Sequence, residues 1–278
     1  MSTTPVAATP QADLLALARR LELSEALAGV EYAATLRRTG AYPDATSLAV
    51  GGGYATYAGP TSPLTQAFAL GLHGPLPAAE LDRLEAFFHS RGAAAAVELC
   101  SLADAGLQRA FVARGYRVAE RSDVMVCRVA EAPESFQAPG GVTIRRAVPG
   151  ELSELAGVVA SGFADGKVAA EDLQAVIEGT FRMSTATAFA ADREGRLIGG
   201  GLLMVHRRVG ALCGAAVLPD ARGRGVHHAL LEARLSAARA LRCETAMVVA
   251  PPGSASHRNA ERTGFTVAYP RVKYVLDA

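Results

Sequence analysis

The sequence predicts a mixed α/β fold made of two halves in tandem, and three observations lead there. Strand-like runs joined both by hairpins and by helical crossovers imply a mixed sheet. A shift of 149 positions lays three features of the chain on one another: Gly51-Gly52 on Gly200-Gly201, Gly74 on Gly223, and Gly115-Tyr116 on Gly264-Phe265. Between the halves a polar stretch containing Pro and Gly, EAPESFQAPGG, separates two strand-like runs and reads as a linker. The expected domains are therefore 1–131 and 142–278, joined by residues 132–141.

In the C-terminal half VTIRRA reads as a strand, and ELSELAGVVASGF and EDLQAVIEGTF read as helices. ATAFAADREGRLIGGGLLMV reads as a hairpin turning at Arg193-Glu194-Gly195. The strand ALCGAAVL leads into the loop DARGRG and the helix HHALLEARLSAARAL. Strand ETAMVVA, a short helix SHRNAERTG, and a terminal strand pair, FTVAY and VKYVL, complete the half.

The N-terminal half repeats the later elements: YATYAG, the apolar run QAFALGL, helix AAELDRLEAFFHSRG, strand AAVELC and helix ADAGLQRAFVARG. No counterpart of the first strand is found, because the chain opens almost at once on a helix, DLLALARRLELSEALAG. The tip, MSTTPVAATPQ, is expected to be disordered.

With 278 residues, half of them apolar, the chain can bury ample core. Its net charge of +1 supplies no field for a polyanion or an anionic membrane, so neither nucleic acid nor membrane is expected as a partner. The four cysteines, Cys100, Cys127, Cys213 and Cys243, are widely spaced without CxxC or Cys/His clustering, which argues against a disulfide scaffold or a metal site. There is no signal-like core and no apolar run of about 20 residues, so a cytoplasmic location is expected.

The loop carries the chemistry. Its preceding strand ends at Pro219, a Gly-rich turn follows, and a helix begins near Val226. The first N–H groups of a helix lack internal partners and carry a partial positive charge of roughly +0.5, which suits a phosphate or pyrophosphate. Gly223 and Gly225 let the backbone approach, while Arg222 and Arg224 can add charge. Taken alone, the loop also reads as an ordinary strand-to-helix turn with two solvated arginines.

VLPDARGRGVHHALLEARL, followed some thirty residues later by SHRNAERTGF, resembles the Gcn5-related N-acetyltransferase (GNAT) family. That family's signature is Arg or Gln, two residues, Gly, one residue, then Gly or Ala. Arg222 and Gly225 fill the first two places, and His227 stands where a small residue is usual. The resemblance covers Thr143 to about Leu276. It implies two GNAT-like halves, each a central, mostly antiparallel sheet flanked by helices, and acetyl-CoA or another acyl-CoA as co-substrate. On this resemblance the pyrophosphate would rest on Arg222, Gly223, Arg224, Gly225, Val226, His227 and His228. The pantetheine arm would lie against Val217 and Leu218, with Ser254 and Asn259 farther along it. Asn259 can instead be a helix-surface residue, and Ser254 or Ser256 an N-cap.

At the corresponding place the N-terminal half has His73-Gly74-Pro75-Leu76-Pro77-Ala78. Two prolines without N–H and no arginine make it a degenerate copy lacking the pyrophosphate loop. Such a copy can complete the core or wall an acceptor pocket between the halves. Tyr32, Tyr42, Tyr54 and Tyr57 could line that pocket, although strand packing is the plainer role for each.

Acyl transfer to an amine needs an oriented carbonyl, a base, charge stabilisation and a proton for the thiolate. The family typically draws on a Glu on the strand before the loop, or water, and a Tyr in the last helix. Here GALCGAAVLP has no carboxylate, and Ala260 stands near the place of the tyrosine. His206 and Tyr269 are the expected substitutes, Tyr269 if it faces the cleft. An exposed histidine beside Arg207 and Arg208 is the plainer reading of His206. Cys213 reads as a buried thiol, and His227 and His228 point about 100° apart with no third ligand, so no metal is expected. The function expected is direct, sequential acetyl transfer to a primary amine of a small molecule or amino acid, acting as a monomer or else a dimer. A non-catalytic acyl-CoA-binding or sensing protein is the alternative.

Overall fold

A computed structural model of the chain describes residues 10–132, 136–163 and 170–278. The tip up to residue 9 and residues 133–135 of the expected linker lie outside that range. The N-terminal half comprises α1 (Pro10–Thr39), β1 (Thr46–Val50), β2 (Gly53–Tyr57) and β3 (Gln66–Phe68). It continues with α2 (Ala78–His89), β4 (Ala95–Cys100), α3 (Ala105–Ala113) and β5 (Arg117–Arg128). The C-terminal half opens with β6 (Val142–Arg146), α4 (Leu152–Phe163) and α5 (Ala170–Phe181). Strands β7 (Ala186–Arg193), β8 (Arg196–His206) and β9 (Val209–Val217) form an antiparallel meander. Helix α6 (Val226–Ala240), β10 (Thr245–Ala250), α7 (Ala255–Arg262) and β11 (Thr266–Leu276) close the chain.

Among the described residues all strands join one 11-stranded sheet in the order β1-β2-β3-β4-β11-β5-β10-β9-β8-β7-β6. Only the β3–β4 and β9–β10 neighbours are parallel, as the helical crossovers α2 and α6 require. The halves exchange their last strands. β11, from the C-terminal half, lies between β4 and β5, while β5, from the N-terminal half, lies between β11 and β10. The two divisions of the sequence are thus halves of one sheet, related by a pseudo-twofold between β11 and β5. The terminal pair anticipated as FTVAY and VKYVL is one long strand, with an irregularity between Val267 and Tyr269.

The exchange is locked from outside the sheet. Arg271 of β11 is 2% exposed and donates from Nε and Nη2 to Glu22 Oε1 of α1, at 3.1 and 2.7 Å. Tyr269 donates its hydroxyl to the same oxygen at 2.9 Å. Helix α1 extends about ten residues beyond the expected stretch and covers β11, β9 and the start of the N-terminal sheet. It shares its face with α4 and α5; α2, α3, α6 and α7 pack on the other.

The repeat is real from the loop onward but slips before it. Gly51 and Gly52 form the β1–β2 turn, so their structural equivalents are Glu194 and Gly195 at the β7–β8 turn. Gly200 and Gly201 instead lie inside β8.

Candidate functional site

β9 ends at Val217, residues Pro219–Ala221 make one 3-10 turn, and α6 starts at Val226. Gly225 is its N-cap in the left-handed region, φ 81°, and Gly223 has φ 73°. Neither angle is readily adopted by a residue with a Cβ. Among the described residues, no backbone N–H from Gly223 through His228 donates to a protein acceptor. A depression of about 450 Å³ lies over this run, lined also by Val217, Gly162, Phe163, Ser256 and Asn259.

Arg222 is not a free anion ligand. Its Nη2 donates to Gly162 O at 2.7 Å and its Nε to Val217 O at 3.1 Å, tying the last turn of α4 to the end of β9. Arg224 is exposed and Leu218 donates its N–H to Ile198 O, and neither lines the depression.

His227 and His228 both line it. Burial holds His227 down to about 4, with Arg234 and His228 adding to the effect, so it is neutral at pH 7. Its Nδ1 lies 3.2 Å from Asn259 Nδ2, and Arg262 donates to Asn259 Oδ1 at 3.1 Å. His228 is held by Thr263 and faces Glu232 at 3.4 Å. Ser254 is not in the depression: it caps α7, accepting from His257 N at 3.1 Å, and Ser256 takes the place beside the loop.

The depression continues between β9 and β10. These strands pair only from Val209 to Ala211 and from Thr245 to Met247. Beyond Ala211 they splay, leaving the β10-facing backbone of β9 without a strand partner. The crevice, about 240 Å³, shares Phe163, Ala215, His227 and Ser256 with the loop depression. At Gly214, φ 57°, β9 bulges against β8 between the Gly200 and Leu202 pairs.

Arg234 of α6 lines this crevice and is 1% exposed. It donates to Leu230 O at 2.9 Å and to Leu202 O and Cys213 O at 3.2 Å each. Among the described residues it makes no ion pair. Burial lowers it to about 10, which leaves it charged at pH 7. The Cys213 thiol beside it is pushed up to about 12 by burial.

On the other face a cavity of about 260 Å³ lies between the halves, and Cys213 and Gly214 line it as well as the crevice. Tyr32 lines this cavity. Tyr42 and Tyr57 instead pair with each other, hydroxyls 3.1 Å apart, and Tyr54 packs in the core under α1.

The two expected proton carriers are not at the crevice. His206 sits at the closed end of the β8–β9 hairpin, with Nε2 3.2 Å from Thr185 Oγ1 and 3.4 Å from Glu31 Oε2. Burial lowers its pKa despite Glu31. Tyr269 is 2% exposed and points at Glu22 on α1, and burial raises its hydroxyl strongly. Sequence reasoning passed over Gly162, Phe163 and Arg234, and read Ser256 only as an N-cap. Arg234 had one visible signal, an arginine on the apolar side of HHALLEARLSAARAL.

The N-terminal counterpart is closed. Leu76 packs so near the β1–β2 turn that a Cβ on Gly51 would lie 2.6 Å from its Cδ1, and Glu80 accepts from Gly51 N at 3.2 Å. Asp104 N bonds Gly71 O at 2.9 Å across the place of the crevice. Among the described residues no helix is long and apolar enough to cross a membrane, and no group of three His, Cys, Asp or Glu could hold a metal ion.

A family model described as Acetyltransferase (GNAT) family matches residues 161–265. A GCN5-related N-acetyltransferase from Kribbella flavida is similar in fold, with TM-score 0.68 at 16% identity over 93% of this chain and 97% of that one. Another, from Sphaerobacter thermophilus, gives TM-score 0.57 at 18% identity over 96% and 93%. A tandem GNAT protein from the clavulanic acid biosynthesis pathway gives 0.58 at 12% identity over 81% and 78%. No curated protein matches the chain.

Proposed function

We propose, from the match of residues 161–265 to the Acetyltransferase (GNAT) family and a fold similar to that of GCN5-related N-acetyltransferases, that the chain transfers an acetyl group from acetyl-CoA directly to a primary amine of a small molecule or amino acid. The observation that carries this reading is the run of unpaired N–H groups from Gly223 to His228 at the head of the β9–β10 crevice. Such a run at a helix N-terminus binds a pyrophosphate through backbone donors and the helix dipole. His227 in the third signature position leaves those donors free, because its ring turns to Asn259.

The splayed backbone from Leu212 to Val217 fits an extended amide-bearing arm, with Asn259 and Ser256 at its margin. Acetyl-CoA supplies the activated acyl group. Arg234 places a buried positive charge beside the bulge, where it favours the developing negative charge of the departing sulfur. Cys213 supports direct transfer, since burial pushes its thiol up to about 12, and a thiol protonated at neutral pH is a poor nucleophile.

Calorimetric titration with acetyl-CoA, followed by thiol release with a panel of amines, tests the reading. One-to-one binding with amine-dependent release supports it. Binding without release from any amine supports the second reading, a non-catalytic acyl-CoA-binding protein. That reading is favoured by the carboxylate-free β9 and by Ala260. No binding refutes both.

A further inference from the structure

We infer that the cavity between the halves is the acceptor site for a primary amine carried on an apolar body, and that Glu25 of the N-terminal half is the base that takes its proton. This rests on the acetyl-transfer reading and names the substrate class and a catalytic residue that β9 does not provide.

The cavity walls are apolar: Tyr32 of α1, Phe68 of β3, Ile177 of α5, and Leu202 and Met204 of β8. Two polar groups on the wall are already engaged. Gln66 accepts from Lys273 at 2.7 Å and Thr180 donates to Ile177 O at 2.7 Å. Among the described residues, Glu25 is the one carboxylate on the lining.

Its carboxylate is only partly engaged: among the described residues Oε2 alone accepts a hydrogen bond. Arg271 gives two hydrogen bonds to Glu22 and one to Glu25 Oε2, so one guanidinium serves two carboxylates. Glu22 is fully buried, whereas the Glu25 side chain keeps 19% of its surface. The amine, its extra proton left to water on entry, donates to this carboxylate, and the apolar walls take the rest of the molecule.

The cavity also reaches the reaction centre. Cys213 and Gly214 belong to both cavity and crevice, so the bulge is where the two chambers meet. Glu25 lines the cavity together with Cys213 and Gly214, and Arg234 donates to Cys213 O at 3.2 Å from the crevice side. A carboxylate therefore flanks the bulge on the acceptor side and a guanidinium on the thioester side.

In the step, the amine lone pair forms the C–N bond at the thioester carbon and the proton shed by nitrogen passes to Glu25. The C–S bond then breaks with its electron pair on sulfur. The thiolate takes a proton from water, and Glu25 returns its own to water.

Phenethylamine and hexylamine, set against spermidine, glucosamine and glycine, are the probes. With wild type we expect kcat/KM at least about tenfold higher for the first pair. Glu25→Gln leaves Arg271 paired with Glu22. We expect it to lower kcat by about a hundredfold, as loss of a general base does, with acetyl-CoA affinity unchanged. Ala28→Leu fills the cavity from α1 and should raise KM for phenethylamine while acetyl-CoA binds as before.

Equal turnover of the polar amines would overturn the substrate class, and wild-type kcat in Glu25→Gln would overturn the base. Phenethylamine binding to protein without acetyl-CoA, measured by calorimetry in wild type and Ala28→Leu, tests the cavity apart from any transfer. Binding in wild type that Ala28→Leu abolishes upholds the cavity even if no acetyl group moves; no binding, or equal binding in both, overturns it. If Glu25→Gln does not fold, Glu25→Ala replaces it: a loss of kcat that added acetate restores upholds the base, and wild-type kcat overturns it.

Discussion

Replacing Gly225 by Asp and, separately, by Asn changes the charge at the head of α6 while holding its shape nearly constant. Gly225 has φ 81°, and a Cβ there meets only Pro139 Cγ at 3.5 Å, an ordinary contact. Asn and Asp are the side chains best tolerated in that region, so each variant loses about 1 kcal/mol of stability and the two lose it alike. Without ligand, the Asp carboxylate faces unpaired N–H groups and gains about 0.3–1 kcal/mol from the helix end, so Gly225→Asp is at least as stable as Gly225→Asn.

With ligand the order reverses. Two phosphate charges about 6 Å from the carboxylate repel it by about 1.4 kcal/mol at the dielectric of water and about 5.5 kcal/mol at an effective value of about 20. Acetyl-CoA affinity in Gly225→Asp should therefore fall at least about tenfold below Gly225→Asn. Calorimetry at low ionic strength measures the affinities, and thermal unfolding without ligand measures the stabilities; salt narrows the gap by screening. Equal affinities in the two variants would refute placement of the pyrophosphate at this helix end.

Three further outcomes follow. Cys213→Ala should keep amine-dependent thiol release, with no acyl-protein seen by mass spectrometry in wild type; loss of release would point to a covalent route. Arg234→Met keeps the volume but strips donors from Leu202 O, Cys213 O and Leu230 O. It should cost about 1–3 kcal/mol in urea unfolding and lower thiol release at least about tenfold at unchanged acetyl-CoA affinity, whereas an unchanged kcat contradicts the role given to its charge. Glu98 lies in β4 with a side chain 13% exposed, and burial raises it from 4.5 to about 7. The native state then holds a proton that the unfolded chain has released, so this group's contribution is full below about pH 4.5 and is lost as pH rises through about 7. Urea stability should fall by a few kcal/mol between about pH 5 and about pH 8, and Glu98→Gln should flatten that fall. A slope unchanged in the variant would assign it elsewhere.

What could be read from sequence was local. Pro219, Gly223, Gly225 and a helix-forming run place the end of β9, the loop and the start of α6, because turn angles and unpaired N–H groups depend on neighbouring residues alone. Pro75 and Pro77 likewise marked the closed counterpart, since a missing N–H needs no tertiary context. The GNAT resemblance of the loop and the Asn259 helix rests on the same local features.

Side-chain direction and strand partnership were decided only by the tertiary structure. Tyr269 turns to Glu22, 247 positions away, and His206 turns to Glu31 because α1 covers that face; neither approach is encoded near either residue. Arg222 had the expected identity but spends its guanidinium on Gly162 O and Val217 O, carbonyls presented by the ends of α4 and β9. The strand exchange was equally hidden. Ladder hydrogen bonds are made by backbone and fit either neighbour, so the choice falls to long-range contacts such as Arg271 with Glu22 and Glu25. The same helix that makes those contacts brings Glu25 to the cavity, and so joins the half without a pyrophosphate loop to the half that has one.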